Sequence, residues 1–183
     1  MNELFDVLNE LGEFTGNVAS REECHKNGYW HRAVYAFLID NNFNILLQKR
    51  SKNKKLWPNK WDVTVGGHVN AGEFGRQALI RECKEELGID IKDNEIKYIV
   101  GTTSVYNKNG YINNHYDECY LILKDIDINE LKLQKDEVED VKYFPCDEII
   151  GKINDNYNGL TEKTVSWNIL KRLLESEIIS QLK

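Results

Sequence analysis

From Gly67 to Ile89 the chain reads GHVNAGEFGRQALIRECKEELGI, and the spacing of its acids constrains the fold more than any other stretch does. Ala78, Leu79, Cys83 and Leu87 recur near the 3.6-residue period. They predict one helix over Glu73–Leu87, and Gly88 suits the left-handed position that ends a helix. Glu82 and Glu86 are four apart, Glu82 and Glu85 three apart, so all three project toward one polar side. Solvated and unpaired, each close pair would repel by roughly a few tenths of a kcal/mol. A bound Mg²⁺, or Mn²⁺ in its place, reverses the sign of the local field, and hard carboxylate oxygens suit such cations. A solvated, charge-rich helix face is the alternative that these residues alone leave open. A direct pair between Glu73 and Arg81, about two turns apart, requires Glu73 to sit at the helix start with its side chain folded back.

Around this helix the pattern is mainly that of strands. Glu3–Leu8 reads as a short strand followed by a turn over Asn9–Gly16, and Ala33–Ile39 pairs with Asn44–Arg50 across the turn Asp40-Asn41-Asn42. Ser51–Lys60 is polar and basic and contains Pro58, so it reads as a loop. A short strand at Trp61–Val65 follows, ended by Gly66-Gly67. Ile96–Val105 and Glu118–Leu123 read as strands separated by a polar insert, Tyr106–His115, and Asp140–Phe144 as a further strand. Thr164, Trp167, Leu170 and Leu174 mark one face of a helix over Thr161–Ile179. Strands flanking a lone central helix, with another helix at the end, predict an α/β sandwich rather than a regular βαβ array.

With 183 residues, 41% of them hydrophobic, the chain suits a single domain over 1–183, with an N-terminal extension at about 1–28. A net charge of −6, from 24 basic and 30 acidic residues, gives no electropositive footprint for a nucleic-acid polymer. No apolar run approaches the roughly 20 residues that span a bilayer, and no basic stretch leads into an apolar core near Met1, so no membrane partner and a cytoplasmic location are expected. Cys24, Cys83, Cys119 and Cys146 are scattered and read as free thiols. Oligomeric state is open, a homodimer included.

The pattern Gly67, five residues, Glu73, seven residues, then Arg81-Glu82-Cys83-Lys84-Glu85-Glu86-Leu87-Gly88-Ile89 resembles a complete Nudix box, the signature of the Nudix hydrolases. The resemblance implies that Glu82, Glu85 and Glu86 bind divalent metal, usually magnesium, and that Gly67 lends a carbonyl oxygen. Glu73 and Arg81 would form the supporting ion pair. It implies an α/β fold, an α/β/α sandwich with a mixed sheet, and a small-molecule diphosphate substrate, commonly a nucleoside diphosphate derivative. Glu82, or an acid outside the motif such as Asp117 or Glu118, is the candidate proton acceptor; solvated loop acids are the plainer reading of the last two.

Trp30-His31-Arg32-Ala33-Val34, Gln48-Lys49-Arg50-Ser51, Trp57-Pro58, Lys60-Trp61 and Gly67-His68 are similar to the branch that includes isopentenyl-diphosphate isomerase. In the isomerases a catalytic cysteine precedes the Gly-His pair, and a constellation of histidines and glutamates holds another metal. His31 and His68 match two of those histidines and His25 a third, but Gly66 occupies the cysteine position and offers no proton-transfer group. Hydrolysis is therefore expected, with isomerase-like activity or a non-catalytic nucleotide-binding module as alternatives. Arg50, Lys49 and Lys54 are candidate diphosphate contacts, with surface solubility the alternative. Trp57 and Trp61 are candidates for stacking on a substrate, as well as for loop anchors, and His31 and His68 for contacts to metal or phosphate.

Overall fold

The computed structural model describes residues 3–108, 110–176 and 179. Its centre is a mixed sheet built on β3 (His31–Ile39) and β8 (Tyr111–Leu123), which run parallel in register from His31 opposite His115 to Ile39 opposite Leu123. Outward from them the order is β5 (Trp61–Asp62), β4 (Asn44–Arg50), β3, β8 and β7 (Ile96–Lys108); β6 (Val65–His68) also pairs with β3 and β9 (Val138–Pro145) with β4.

Alternation along β3 separates two cores. Val34, Ala36 and Leu38 face α2 (Gly75–Glu82) and pack with Ala78, Leu79, Cys83 and Leu87. Tyr35, Phe37 and Ile39 face the other way, toward Ile149 of α3 (Cys146–Asn154) and Trp167 and Leu170 of α4 (Thr164–Glu175). Helices therefore cover both faces of a mixed sheet, the expected α/β/α sandwich. Among the described residues no helix is long and apolar enough to cross a membrane.

A separate unit precedes the sheet. β1 (Leu4–Leu8) pairs with β2 (Phe14–Ser20), and α1 (Arg21–Asn27) starts at a capping box in which the Ser20 hydroxyl accepts from the Glu23 amide. Its own apolar cluster is small: Phe5, Ala19 and Cys24 with Val7 beside them.

Several expectations change. Within the stretch Tyr106–His115, 106–108 and 111–115 are strand, not insert: β7 and β8 form one long hairpin whose register runs to Lys108 opposite Tyr111, with Gly110 at φ 77°. Tyr106, Tyr111, Asn113 and His115 of this stretch wall a cleft rather than join the apolar cores. Gly66 and Gly67 do not end a strand but lie within β6, opposite Tyr35 and Val34. β3 and β4 pair near their turn, at Leu38–Leu46 and Ile39–Ile45, after which β6 and β9 take over. The central helix is not alone, since α1 and α3 also form. The C-terminal helix spans Thr164–Glu175 rather than Thr161–Ile179; residues 177–178 of that expectation lie outside the described ones.

Candidate active site

The expected acid helix begins as α2 and widens into a π turn over Cys83–Leu87, closed by Gly88 at φ 73°. The wider turn keeps Glu82 and Glu86 against the protein, 8% and 6% exposed, while Glu85 reaches outward. Gly67 lies directly under Glu82, so closely that a Cβ there would collide with the carboxyl group. Arg81 organises the surroundings. Its guanidinium forms a two-pronged pair with Glu73 at 3.1 and 3.0 Å, donates to the His68 carbonyl at 2.9 Å, and reaches Glu82 at 2.7 Å and Glu85 at 3.3 Å. Glu73 folds back as its spacing requires and also accepts from the Asn70 amide. One planar fork thus ties the approach loop, β6 and the acid helix together.

Glu86 has far less support. Among the described residues its carboxylate accepts one hydrogen bond, from Gln48 Nε2 at 3.2 Å. Burial first, then the negative charges of Glu82 and Glu137, pushes it up to about 8. Burial likewise raises Glu82 above the ordinary carboxylate range, against the pull of Arg81. Two buried acids so disfavoured as anions form a site that a cation would complete.

The acids open onto a cleft of about 410 Å³. Arg50, Lys54 and Lys163 also line it, with Trp57 and Tyr106 in ring contact at 5.2 Å. Arg50 and Lys163 are held by the buried carboxylate of Asp62, at 3.0 and 2.8 Å, and Lys54 pairs with Glu137. From β8, every second residue faces this cleft: Tyr111, Asn113, His115 and Asp117.

Beside Gly67 stands a cluster of four histidines. His25 comes from α1, His31 from β3, His68 from β6 and His115 from β8, and one ligand atom of each lies within 4.8 Å of the others. Burial, the largest influence, lowers the proton affinity of His25, His31 and His68, and His115 lowers it further; His31 falls to about 3. These three are therefore neutral imidazoles near neutral pH, the form that can hold a metal.

The NUDIX domain model matches residues 29–164. The chain belongs to the Nudix hydrolase family. An uncharacterised Nudix hydrolase of Listeria monocytogenes is 34% identical over 147 residues, covering 80% of this chain and 82% of that one. Nudix hydrolase 3 of Arabidopsis thaliana is 38% identical over 151 residues, 80% of this chain, although the chain spans only 20% of that protein. Isopentenyl-diphosphate Delta-isomerases of Escherichia coli match at 29% identity over 141 residues, 77% of this chain and 75% of theirs. A crystal structure of a Deinococcus radiodurans protein shares the fold, with a TM-score of 0.67 at 21% identity, over 94% of this chain and 97% of that one.

Within the Nudix sandwich, strand alternation sorts the remaining candidates. Asp117 faces the cleft, whereas its neighbour Glu118 lies on the opposite face of β8, against Gly75 at the start of α2, and accepts from the Tyr120 hydroxyl. Trp61 packs on Phe144 in the α3–α4 core, while Trp57 stands at the cleft. His68 borders the cleft; His31 is fully buried behind it. His115 carried no signal as part of a presumed loop, although Tyr111, Asn113, His115 and Asp117 alternate with the period of a strand. Among the described residues no cysteine lines the cleft. Cys83 and Cys119 are buried, each thiol pushed up to about 12 chiefly by burial.

Proposed function

We propose that this chain hydrolyses a diphosphate linkage in a small water-soluble metabolite, of which nucleoside diphosphate derivatives are one class, with Mg²⁺ held by Glu82, Glu85 and Glu86 beside the Gly67 carbonyl. The observation that supports this reading is the meeting of two buried acids, Glu82 and the poorly satisfied Glu86, with Arg50, Lys54 and Lys163 in one cleft. Mn²⁺ suits the same oxygen donors. Bound there, the cation neutralises charge on diphosphate oxygens and acidifies water. The chain's own residues do the rest. Arg81 and Glu73 set the direction of the acids, Arg50 offers a guanidinium already oriented by Asp62, and Asp117 presents a carboxylate to the cleft as proton acceptor.

Isomerisation is the weaker reading for a local reason. Gly66 lines the cleft where a proton-transfer group would be needed, and the buried thiols of Cys83 and Cys119 lie in the cores instead. The test is incubation in oxygen-18 water with a panel of nucleoside diphosphate derivatives, coenzymes and isopentenyl diphosphate, with Mg²⁺ or with chelator. Label in a phosphate-containing product that appears only with the metal is expected. Rapid formation of dimethylallyl diphosphate would overturn the choice.

A further inference from the structure

We infer that Tyr35, Trp57 and Tyr106 select the group carried on the diphosphate: they hydrogen-bond a hydroxylated or carbonyl-bearing group, a sugar for example, and discriminate against an alkyl chain. The inference deepens the hydrolase reading and rests on it for the place of the diphosphate.

Buried polar groups are nearly always paired, so the exceptions show what a ligand has to supply. Apart from the four histidines, four buried side-chain atoms among the described residues lack a hydrogen-bond partner: Tyr35 Oη, Trp57 Nε1, Thr102 Oγ1 and Tyr106 Oη. Three of these four belong to residues that line the cleft beside the acids. They also come from three separate places in the chain, Tyr35 from β3, Trp57 from the loop between β4 and β5 and Tyr106 from β7. Tyr35 is 6% exposed, and although Ser166 and Cys119 stand beside its hydroxyl, neither meets it in hydrogen-bond geometry.

The atoms themselves define the ligand. An indole N–H only donates, and a phenol that burial keeps protonated donates as well. Three donors facing one space call for oxygens, or unprotonated ring nitrogens, on whatever fills it. Leu56, Val105 and Val165 add apolar wall to the same cleft, so contact alone would accept an alkyl chain. Such a chain would leave every donor unpaired. A site built to hydrogen-bond its substrate rejects an analogue without the polar atom by up to about 10⁴–10⁵-fold, against roughly 10–200-fold for one methylene in an apolar pocket.

Trp57 is also placed to respond to a ligand. Its ring meets that of Tyr106 at 5.2 Å, tilted by 54°, with both polar atoms buried, so a ligand reaches the two donors by parting the rings. Its backbone sits at φ 49°, a strained conformation for a bulky side chain, while Leu56 before it is tied to Arg50, whose Nε donates to the Leu56 carbonyl at 3.1 Å. The loop that presents the indole is thus joined to a cation of the same cleft.

The test compares ribose 5-diphosphate with isopentenyl diphosphate, two diphosphates on groups of equal carbon number, using the full chain and Mg²⁺. Wild type should favour the ribose compound in kcat/KM by more than ~100-fold. Tyr35→Phe and Tyr106→Phe each remove one oxygen and keep the ring, so each should lower that ratio by about 10-fold, the worth of one hydrogen bond, and Trp57→Phe should lower it similarly. Side chains that merely hold the fold would depress both substrates together, so a ratio untouched in all three variants would overturn the inference. So would a wild type that treats the two compounds alike or prefers the alkyl one. Where neither compound turns over, the ratio of their Kd values by calorimetry decides on the same terms, and a cleft that binds neither fails it; selection by these residues is thereby judged separately from hydrolysis.

Discussion

Arg81 carries more of the site's geometry than any acid in it, because one guanidinium meets Glu73, Glu82, Glu85 and the His68 carbonyl. A lysine there would keep the charge and lose the fork, leaving a point charge on a mobile stem. Arg81→Lys is therefore expected to lower kcat by about 10–100-fold, the usual effect of disturbing the groups that orient metal ligands, with KM for substrate little changed. Steady-state kinetics at saturating Mg²⁺ checks this; an unchanged kcat would remove Arg81 from the positioning role. The pair was expected only from the resemblance, since a spacing of eight reaches Arg81 only when Glu73 stands before the helix start and folds back, as it does here. Its contact with Glu82 was not, because sequence spacing says nothing about which side of a planar group its neighbours will occupy.

At the scale of elements, Asp62 joins parts of the chain that are far apart in sequence. It is 1% exposed, accepts from Arg50 of β4, from Lys163 at the start of α4 and from the Thr161 hydroxyl at 3.1 Å, and stands on the short strand β5. Burial opposes its charge, but Lys163 and Arg50 outweigh that and hold it below the ordinary carboxylate range. An acid lowered on folding stabilises the fold above its unfolded pKa, and the contribution is lost as pH falls through the folded one. Asp62→Ala should therefore destabilise by about 3–5 kcal/mol at neutral pH, having left two cations without their buried partner. The difference from wild type should shrink under acid, and denaturant titrations at the two pH values measure it. None of these partners could be read from the sequence, since Asp62 sits between apolar residues as an ordinary strand acid would. The acid helix was legible because its period and its end signal agree. The β7–β8 hairpin was obscured where polar residues continue a strand past the cores, and α1 is short enough that its capping box, Ser20 to Glu23, was its main trace.

Across the whole molecule, the proposed metal site would link metal, protons and folding through the buried acids. In metal-free protein Glu86 titrates at about 8, above the ordinary value of 4.5, so between those values the folded chain holds a proton that the unfolded chain has released. The sign follows directly: stability associated with Glu86 is complete below about pH 4.5 and drains away as pH rises through about 8. Glu82, raised in the same direction, adds to the slope. On the proposed reading Mg²⁺ would act oppositely, because binding the carboxylate displaces that proton, so its affinity should rise over the same interval. A ligand that binds only the folded state at 100 times its Kd stabilises by about 2.7 kcal/mol, and that gain should be near complete at pH 8 and much reduced at pH 5.5. Thermal melts of the chelated protein should thus show Tm falling from pH 5.5 to 8, and melts with Mg²⁺ should recover it chiefly at the alkaline end. Glu86→Gln, uncharged throughout, should flatten the chelated profile and respond less to Mg²⁺. A chelated wild type whose melts parallel those of Glu86→Gln across this range would mean that Glu86 is not the acid through which pH and metal reach the fold.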